Sequence, residues 1–227
     1  MNYIIANWKC NKSSTQACEW IARFAESYQA SDEQEIVLAP PMIGLQPVAD
    51  YLKDHQITGI KLAAQDVSPF PPGNYTGATP AAMLKGLVDY CIVGHIERRR
   101  YFHETSLDVT NKVSELADVN ITPIVCVETS NAMSQLTALN DIECEQMVVA
   151  YCPVDALSYH SPEPIERVTE AVKFISTIVV KRPIIYGGAV SEKNARIYSE
   201  ISGLSGLFVG SASHQPNQFQ AIVEAGK

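Results

Sequence analysis

Eight short, almost unbroken runs of apolar, β-prone residues punctuate the chain, and between them the pattern turns helical. The runs are Tyr3 to Ala6, Ile36 to Ala39, Ile60 to Ala63, Tyr90 to Val93, Pro123 to Val127, Met147 to Ala150, Pro183 to Tyr186 and Gly206 to Val209. Continuous apolarity, without the polar alternation of a half-wet strand, belongs to strands buried on both faces. Helical spacing follows in Ala17, Trp20, Ile21 and Phe24 behind a Ser13-Ser14 cap, and in Val109, Val113 and Leu116 behind Thr105, with Asp108 three residues on. Ser161-Pro162 marks the start of a third helix, with Ile165, Val168, Val172 and Ile175 along one stripe. Strict alternation of strand and helix requires parallel strands joined by crossover helices, either a closed eight-stranded barrel or an open doubly wound sheet. Eight such units, with no Gly-x-Gly-x-x-Gly after the first run, favour the barrel. The expectation is a single α/β domain over residues 1–227, a (β/α)₈ barrel. Barrels of this kind run to ~250 residues, and the shortfall falls between Glu128 and Gln146, where only one short helix fits.

The 227 residues are 46% apolar, enough for one substantial core, and carry a formal net charge of −8. That balance removes the broad positive surface needed for nucleic acid or an anionic membrane, while leaving room for a small anion held by a few local donors. No run approaches the ~20 apolar residues of a membrane span, and Met1 to Cys10 lacks the layout of a signal peptide. A cytoplasmic protein is expected. Six cysteines at 10, 18, 91, 126, 144 and 152 form no Cys-x-x-Cys pair and no zinc-like spacing with histidine, so reduced thiols and no metal are expected.

In such a barrel, ligands meet the C-terminal ends of the strands. The last two runs end in Gly187-Gly188 and Gly210-Ser211. Glycines at a strand-to-helix turn either serve the turn alone or let backbone amides approach an anion at a helix start. Two such turns on adjacent final strands favour a phosphate cradle. Lys9, just past the first run, is a lone cation suited to a phosphate or a polarised oxygen, or else a solvated surface lysine. His95 is either a satisfied buried histidine or a neutral imidazole donating to a carbonyl oxygen, and its place between Gly94 and a polar cluster favours the second. Glu97 reads as an organiser of Lys9 or His95, or as part of a solvated, ion-paired helix start.

These pieces, in order, resemble the triosephosphate isomerase family over nearly the whole chain. They are Asn7-Trp8-Lys9-x-Asn11, Ala64 to Val67, Tyr75-Thr76-Gly77, Gly94-His95-x-Glu97-Arg98-Arg99, Thr122 to Val127, Ala150-Tyr151-x-Pro153-Val154, Tyr186-Gly187-Gly188 and Gly206 to Gly210. The resemblance implies interconversion of dihydroxyacetone phosphate and glyceraldehyde 3-phosphate through an enediolate, without metal or organic cofactor. It implies that Asn7 and Lys9 contact substrate and that His95 polarises the carbonyl. Gly187, Gly188, Gly210 and Ser211 would hold the phosphate. It also implies a homodimer through the loop Pro71 to Thr79, with Thr76 reaching the partner's site.

Three departures fall together. Cys152 stands where the family keeps a glutamate base, Ile96 where it keeps serine, and the lid reads Asp155 to His160 in place of a Trp and a Gly-Thr-Gly hinge. Ala78 also replaces a dimer-loop glutamate, so Arg98 is expected to lose a partner. A thiol acts as a base only as thiolate, the minor form of an ordinary cysteine at neutral pH, and its reach is shorter than glutamate's. Cys152 and Ile96 read as paired changes that refill one pocket with apolar volume. Three readings are open: an impaired isomerase using Cys152, or Asp155 from the lid; a non-catalytic phosphosugar-binding or interaction protein; and a Cys152 nucleophile acting on a phosphorylated aldehyde.

Overall fold

The computed structural model describes residues 2–226 and shows a closed barrel of parallel strands paired in sequence order, β8 returning to β1. The strands are β1 (Asn2–Asn7), β2 (Gln34–Ala39), β3 (Ile60–Ala64), β4 (Tyr90–Val93), β5 (Thr122–Val127), β6 (Val148–Tyr151), β7 (Ile184–Tyr186) and β8 (Gly206–Val209). The helices are α1 (Ser14–Ala25), α2 (Leu45–Asp54), α3 (Ala81–Leu84), α4 (Ile96–Tyr101), α5 (Ser106–Asp118), α6 (Thr129–Thr137), α7 (Val154–Tyr159), α8 (Ile165–Ile178), α9 (Ala195–Ser199) and α10 (Pro216–Ala225).

Successive strand residues serve two cores, which is why the runs are continuously apolar. Ile5, Val37, Ala63, Ile92, Ile124, Val148, Ile185 and Phe208 fill the barrel interior. Their neighbours Ile4, Ile36, Leu62, Cys91, Val125, Val149, Ile184 and Leu207 pack outward beneath the helices. Closure depends on Gly206, whose φ of 146° suits glycine alone. A Cβ there would stand 2.6 Å from the Tyr3 nitrogen, so any side chain would push β8 off β1.

Ser13 caps α1 and Gln16 completes a reciprocal box; Thr105 and Asp108 do the same for α5. Each such cap contributes about 1 kcal/mol. The third expected start is displaced: α8 begins at Ile165, not at Ser161-Pro162. The Glu163 amide donates to the Tyr186 hydroxyl at 3.1 Å, and the Tyr198 hydroxyl donates to the Glu163 carbonyl at 2.5 Å. Both backbone groups of Glu163 are thereby committed to tyrosines, and the helix starts beyond them. The lid segment forms α7 and ends with His160 at φ 51°. Between Glu128 and Gln146, α6 is the short helix expected there.

Candidate active site

Asn7 ends β1 and sets the backbone conformation of Lys9. Its Oδ1 accepts from the Lys9 amide at 3.0 Å, and Lys9 itself sits at φ 53°. The Gln65 amide group donates to the carbonyls of Lys9 and Ala39, each at 2.8 Å. A left-handed non-glycine residue costs ~1–3 kcal/mol and persists only where its surroundings impose it. Here they aim the Lys9 side chain across the barrel mouth, where its Nζ meets Glu97 Oε1 at 2.6 Å.

His95 follows β4 and caps α4. The Glu97 amide donates to its Nδ1 at 3.2 Å, so that nitrogen is the acceptor and the ring proton lies on Nε2. The ring is buried, and burial pushes its pKa down to about 4; the Glu97 carboxylate opposes this and the Lys9 ammonium reinforces it. At neutral pH His95 is therefore an uncharged N–H donor. Asn7, Lys9, His95 and Glu97 share a cavity of about 710 Å³, walled also by Gln65 and by Thr76 to Thr79.

Arg98 has an ion pair with Asp66 at 2.8 Å, while its Nε finds no partner among the described residues; Asp66 also receives Lys112 at 2.6 Å, and Lys112 in turn pairs with buried Glu104. This chain of charges was missed in the sequence. Its one signal was Lys112, a lysine on the buried stripe of α5 beside Val109, Val113 and Leu116, where an unpaired charge is not tolerated.

The opposite side of the mouth is built differently. Cys152 donates its amide to the Val127 carbonyl at 2.8 Å, and its side chain, 2% exposed, joins the barrel interior with Cys126, Ile185 and Phe208. It lines, with Ile96, Cys126 and Asn131, a void of about 10 Å³, room for no more than one water. Cys152 and Ile96 thus share one pocket, as expected. The Cys126 thiol is pushed up, first by its hydrogen bond with Cys152 and then by burial. Cys152 is not part of the wall of the large cavity that holds His95 and Lys9. Asp155 is exposed in the first turn of α7, pointing to solvent rather than the pocket floor.

The two glycine turns are unequal. The Gly187 amide donates to the Tyr151 carbonyl at 2.9 Å, tying β7 to β6. The Gly188 carbonyl accepts the Tyr186 hydroxyl at 2.8 Å. Gly210 opens a 3-10 turn over Ser211–His214 and accepts from the Ser213 amide at 2.9 Å. A Cβ on Gly210 would lie 3.8 Å from Lys9 Cε, so this turn adjoins the lysine. Among the described residues, no three His, Cys, Asp or Glu side chains converge as a metal site, and no helix is long and apolar enough to cross a membrane.

The family model for triosephosphate isomerase matches residues 2–226. The triosephosphate isomerase of Mesomycoplasma hyorhinis is 35% identical, with 99% of this chain and 98% of that protein aligned. That of Dictyoglomus turgidum is 32% identical over 98% of each, and that of Dehalococcoides mccartyi (strain BAV1) 30% identical over 96% of this chain and 94% of its own length. On a barrel that presents His95, Lys9 and the glycine turns at its strand ends, and on these full-length matches, the chain belongs to the triosephosphate isomerase family.

Proposed function

We propose that the protein binds a triose phosphate at the C-terminal mouth of the barrel and interconverts dihydroxyacetone phosphate and glyceraldehyde 3-phosphate with strongly impaired turnover. The observation that carries this reading is the neutral His95 beside the Lys9–Glu97 pair in one cavity. In this reading the His95 Nε2–H donates to the substrate carbonyl, Lys9 and Asn7 hold its polar end, and Glu97 fixes Lys9. The Gly188 amide and the Gly210-Ser211 turn receive the phosphate, with Lys9 supplying charge next to Gly210, while the Gly187 amide stays on the Tyr151 carbonyl. The proton on the carbon beside the carbonyl passes to a base, its bonding pair becomes the enediolate double bond and the carbonyl pair moves onto oxygen; the base then delivers a proton to the adjacent carbon while the hydroxyl proton passes from one oxygen to the other by way of His95. A positioned base contributes ~10²–10⁴ to such a step. Cys152 is the residue at that place, and its side chain packs into the barrel interior outside the wall of the cavity that holds His95 and Lys9.

A second reading, a non-catalytic phosphosugar-binding protein, draws support from the nearly filled void around Cys152. A coupled assay of isomerase turnover separates the two: slow turnover that His95→Gln abolishes supports the first, and phosphate binding with no turnover at any enzyme concentration supports the second. The third reading, a Cys152 nucleophile, requires an accessible thiol, which the burial of Cys152 does not offer. The homodimer belongs to the same proposal. Phe70 and Tyr75 stack at 4.7 Å at the base of the Thr76 loop while both stay partly exposed, an apolar face suited to a second copy. A monomer in light scattering at micromolar concentration would remove it. A reducing, cytoplasmic setting fits six free thiols.

A further inference from the structure

The cavity that holds His95 and Lys9 and the small void beside Cys152 have no lining residue in common, and one aromatic ring, Phe208, lies against both His95 and the Cys152 cluster. Phe208 lies on the inner face of β8, 5% exposed, in the same interior cluster as Cys152. Its ring meets His95 edge-on, with centroids 6.1 Å apart. Both Phe208 and Cys152 press on Gly187: a Cβ there would lie 2.8 Å from Phe208 Cδ1 and 3.0 Å from Cys152 Sγ. Leu157 of the lid helix packs against this cluster from outside. The thiol is thus enclosed by Cys126, Ile96, Gly187 and Phe208, with a void of about 10 Å³ beside it, while the His95 and Lys9 donors face about 710 Å³.

We infer that Phe208 is a positioning residue: its ring partitions the mouth and decides which side chain at position 152 can reach the substrate held by His95 and Lys9. A carboxylate at 152 is longer than the thiol and needs polar company when ionised. The space next to Cys152 has no room for it, and Arg99 on the wall of that void is already committed to the Gly94 carbonyl and to Gln135. The carboxylate would have to pass the ring to reach the cavity. A smaller, flexible side chain at 208 opens that route. This inference rests on the isomerase reading for its kinetic consequence but not for its structural one.

The test is a cycle of the parent chain, Cys152→Glu, Phe208→Leu and the double variant, read by isomerase kcat and KM and by alkylation of Cys152 with iodoacetamide, mapped by mass spectrometry. Cys152→Glu alone is expected to raise kcat less than about tenfold. The double variant should exceed it by at least about tenfold with KM within about twofold, a non-additivity that a merely structural change would not produce. In Phe208→Leu, alkylation of Cys152 should accelerate at least about tenfold while that of buried Cys91 stays unchanged, which separates local opening from general loosening. If the leucine variant folds poorly, Phe208→Met serves in its place. Cys152→Glu alone matching the double variant, with unchanged alkylation in Phe208→Leu, would overturn the inference. Accelerated alkylation of Cys152 with no turnover in any variant would sustain the partition and sink the isomerase reading instead.

Discussion

The β1–β4 side of the barrel mouth and the β6–β8 side use the same strand-end positions in opposite ways. On the first, the polar groups around Lys9 and His95 are held by one another. Asn7 holds the Lys9 backbone, Glu97 holds the Lys9 side chain through one carboxylate oxygen, and its amide fixes the His95 tautomer. On the second, the equivalent depth is occupied by Cys152 and Phe208, which pack as core with Cys126 of β5. Binding chemistry needs the first side, and proton abstraction needs both. In the proposed reading the ligand-holding side is kept while the space beside position 152 is filled, an exchange within the layers of inward side chains that leaves the strand pairing intact.

The comparison predicts that damage to the first side has the larger effect on ligand. Lys9→Met removes the side-chain cation next to the Gly210 turn and leaves Glu97 facing the anion. Phosphate affinity measured by calorimetry should then fall by ~10²–10³, the scale for removing a charge-assisted hydrogen bond and leaving an adverse charge behind. Unchanged affinity would show that the glycine turns alone hold the anion and that the Lys9–Glu97 pair is structural.

His95 gives the first side a pH signature. Its pKa in the fold is about 4, against an ordinary value of 6.5, so between these values the unfolded chain takes up a proton that the folded chain refuses. Stability is complete above about pH 6.5 and is lost as pH falls toward 4, by about 3 kcal/mol in total at the low end. Burial lowers the His214 pKa too and adds in the same direction, so the measurement is the difference between the parent and His95→Gln in urea unfolding across that range. Parallel pH curves for the two would mean that His95 titrates in the fold as it does in the unfolded chain, and the lowered pKa would fail.

Much of this was legible because the barrel writes its pattern into the chain. Each two-faced strand appeared as an apolar run, and the boxes at Ser13 and Thr105 announced α1 and α5. The strand-end residues Asn7, Lys9, His95 and Glu97 could be placed at one mouth because strand termini converge there. What sequence could not give was set by contacts across the barrel. The start of α8 depends on Tyr186 and Tyr198, which lie far along the chain from Glu163. Asp66 replaces a partner for Arg98 from another strand end. Gly187 reads as a ligand-facing glycine, and only the pairing of β6 with β7 shows its amide already engaged. Phe208 gave no signal at all, since an aromatic in an apolar strand is ordinary core.

The two glycine turns sharpen the comparison by stability. Gly187→Ala puts a methyl between Phe208 and Cys152 at contacts of 2.8 and 3.0 Å, and should destabilise the fold by ~1–3 kcal/mol as overpacking does. Gly210→Ala meets its nearest atom, Lys9 Cε, at 3.8 Å and should change stability by less than ~0.5 kcal/mol. Denaturant midpoints for the two variants decide it. Equal losses would mean that the β6–β8 side is no more tightly packed than the lysine side.

The smallest effect is expected at Asp155, the exposed carboxylate three residues beyond Cys152. It lies exposed in the first turn of α7, two residues past Pro153, while Ala156 is buried and Leu157 packs, partly buried, on the Cys152 cluster. For Asp155 to act on substrate, α7 would have to rotate so that this face points inward, removing Leu157 from its apolar contacts and drawing a charge out of water. Asp155→Asn should therefore leave kcat within about twofold of the parent, and stability within ~0.5 kcal/mol, the worth of an acidic residue at a helix start. A fall in kcat of tenfold or more, with KM unchanged, would reverse this. The lid would then be a moving part that carries its own base, and the closed packing of Cys152 and Phe208 would be the resting face of a site completed only when α7 turns over.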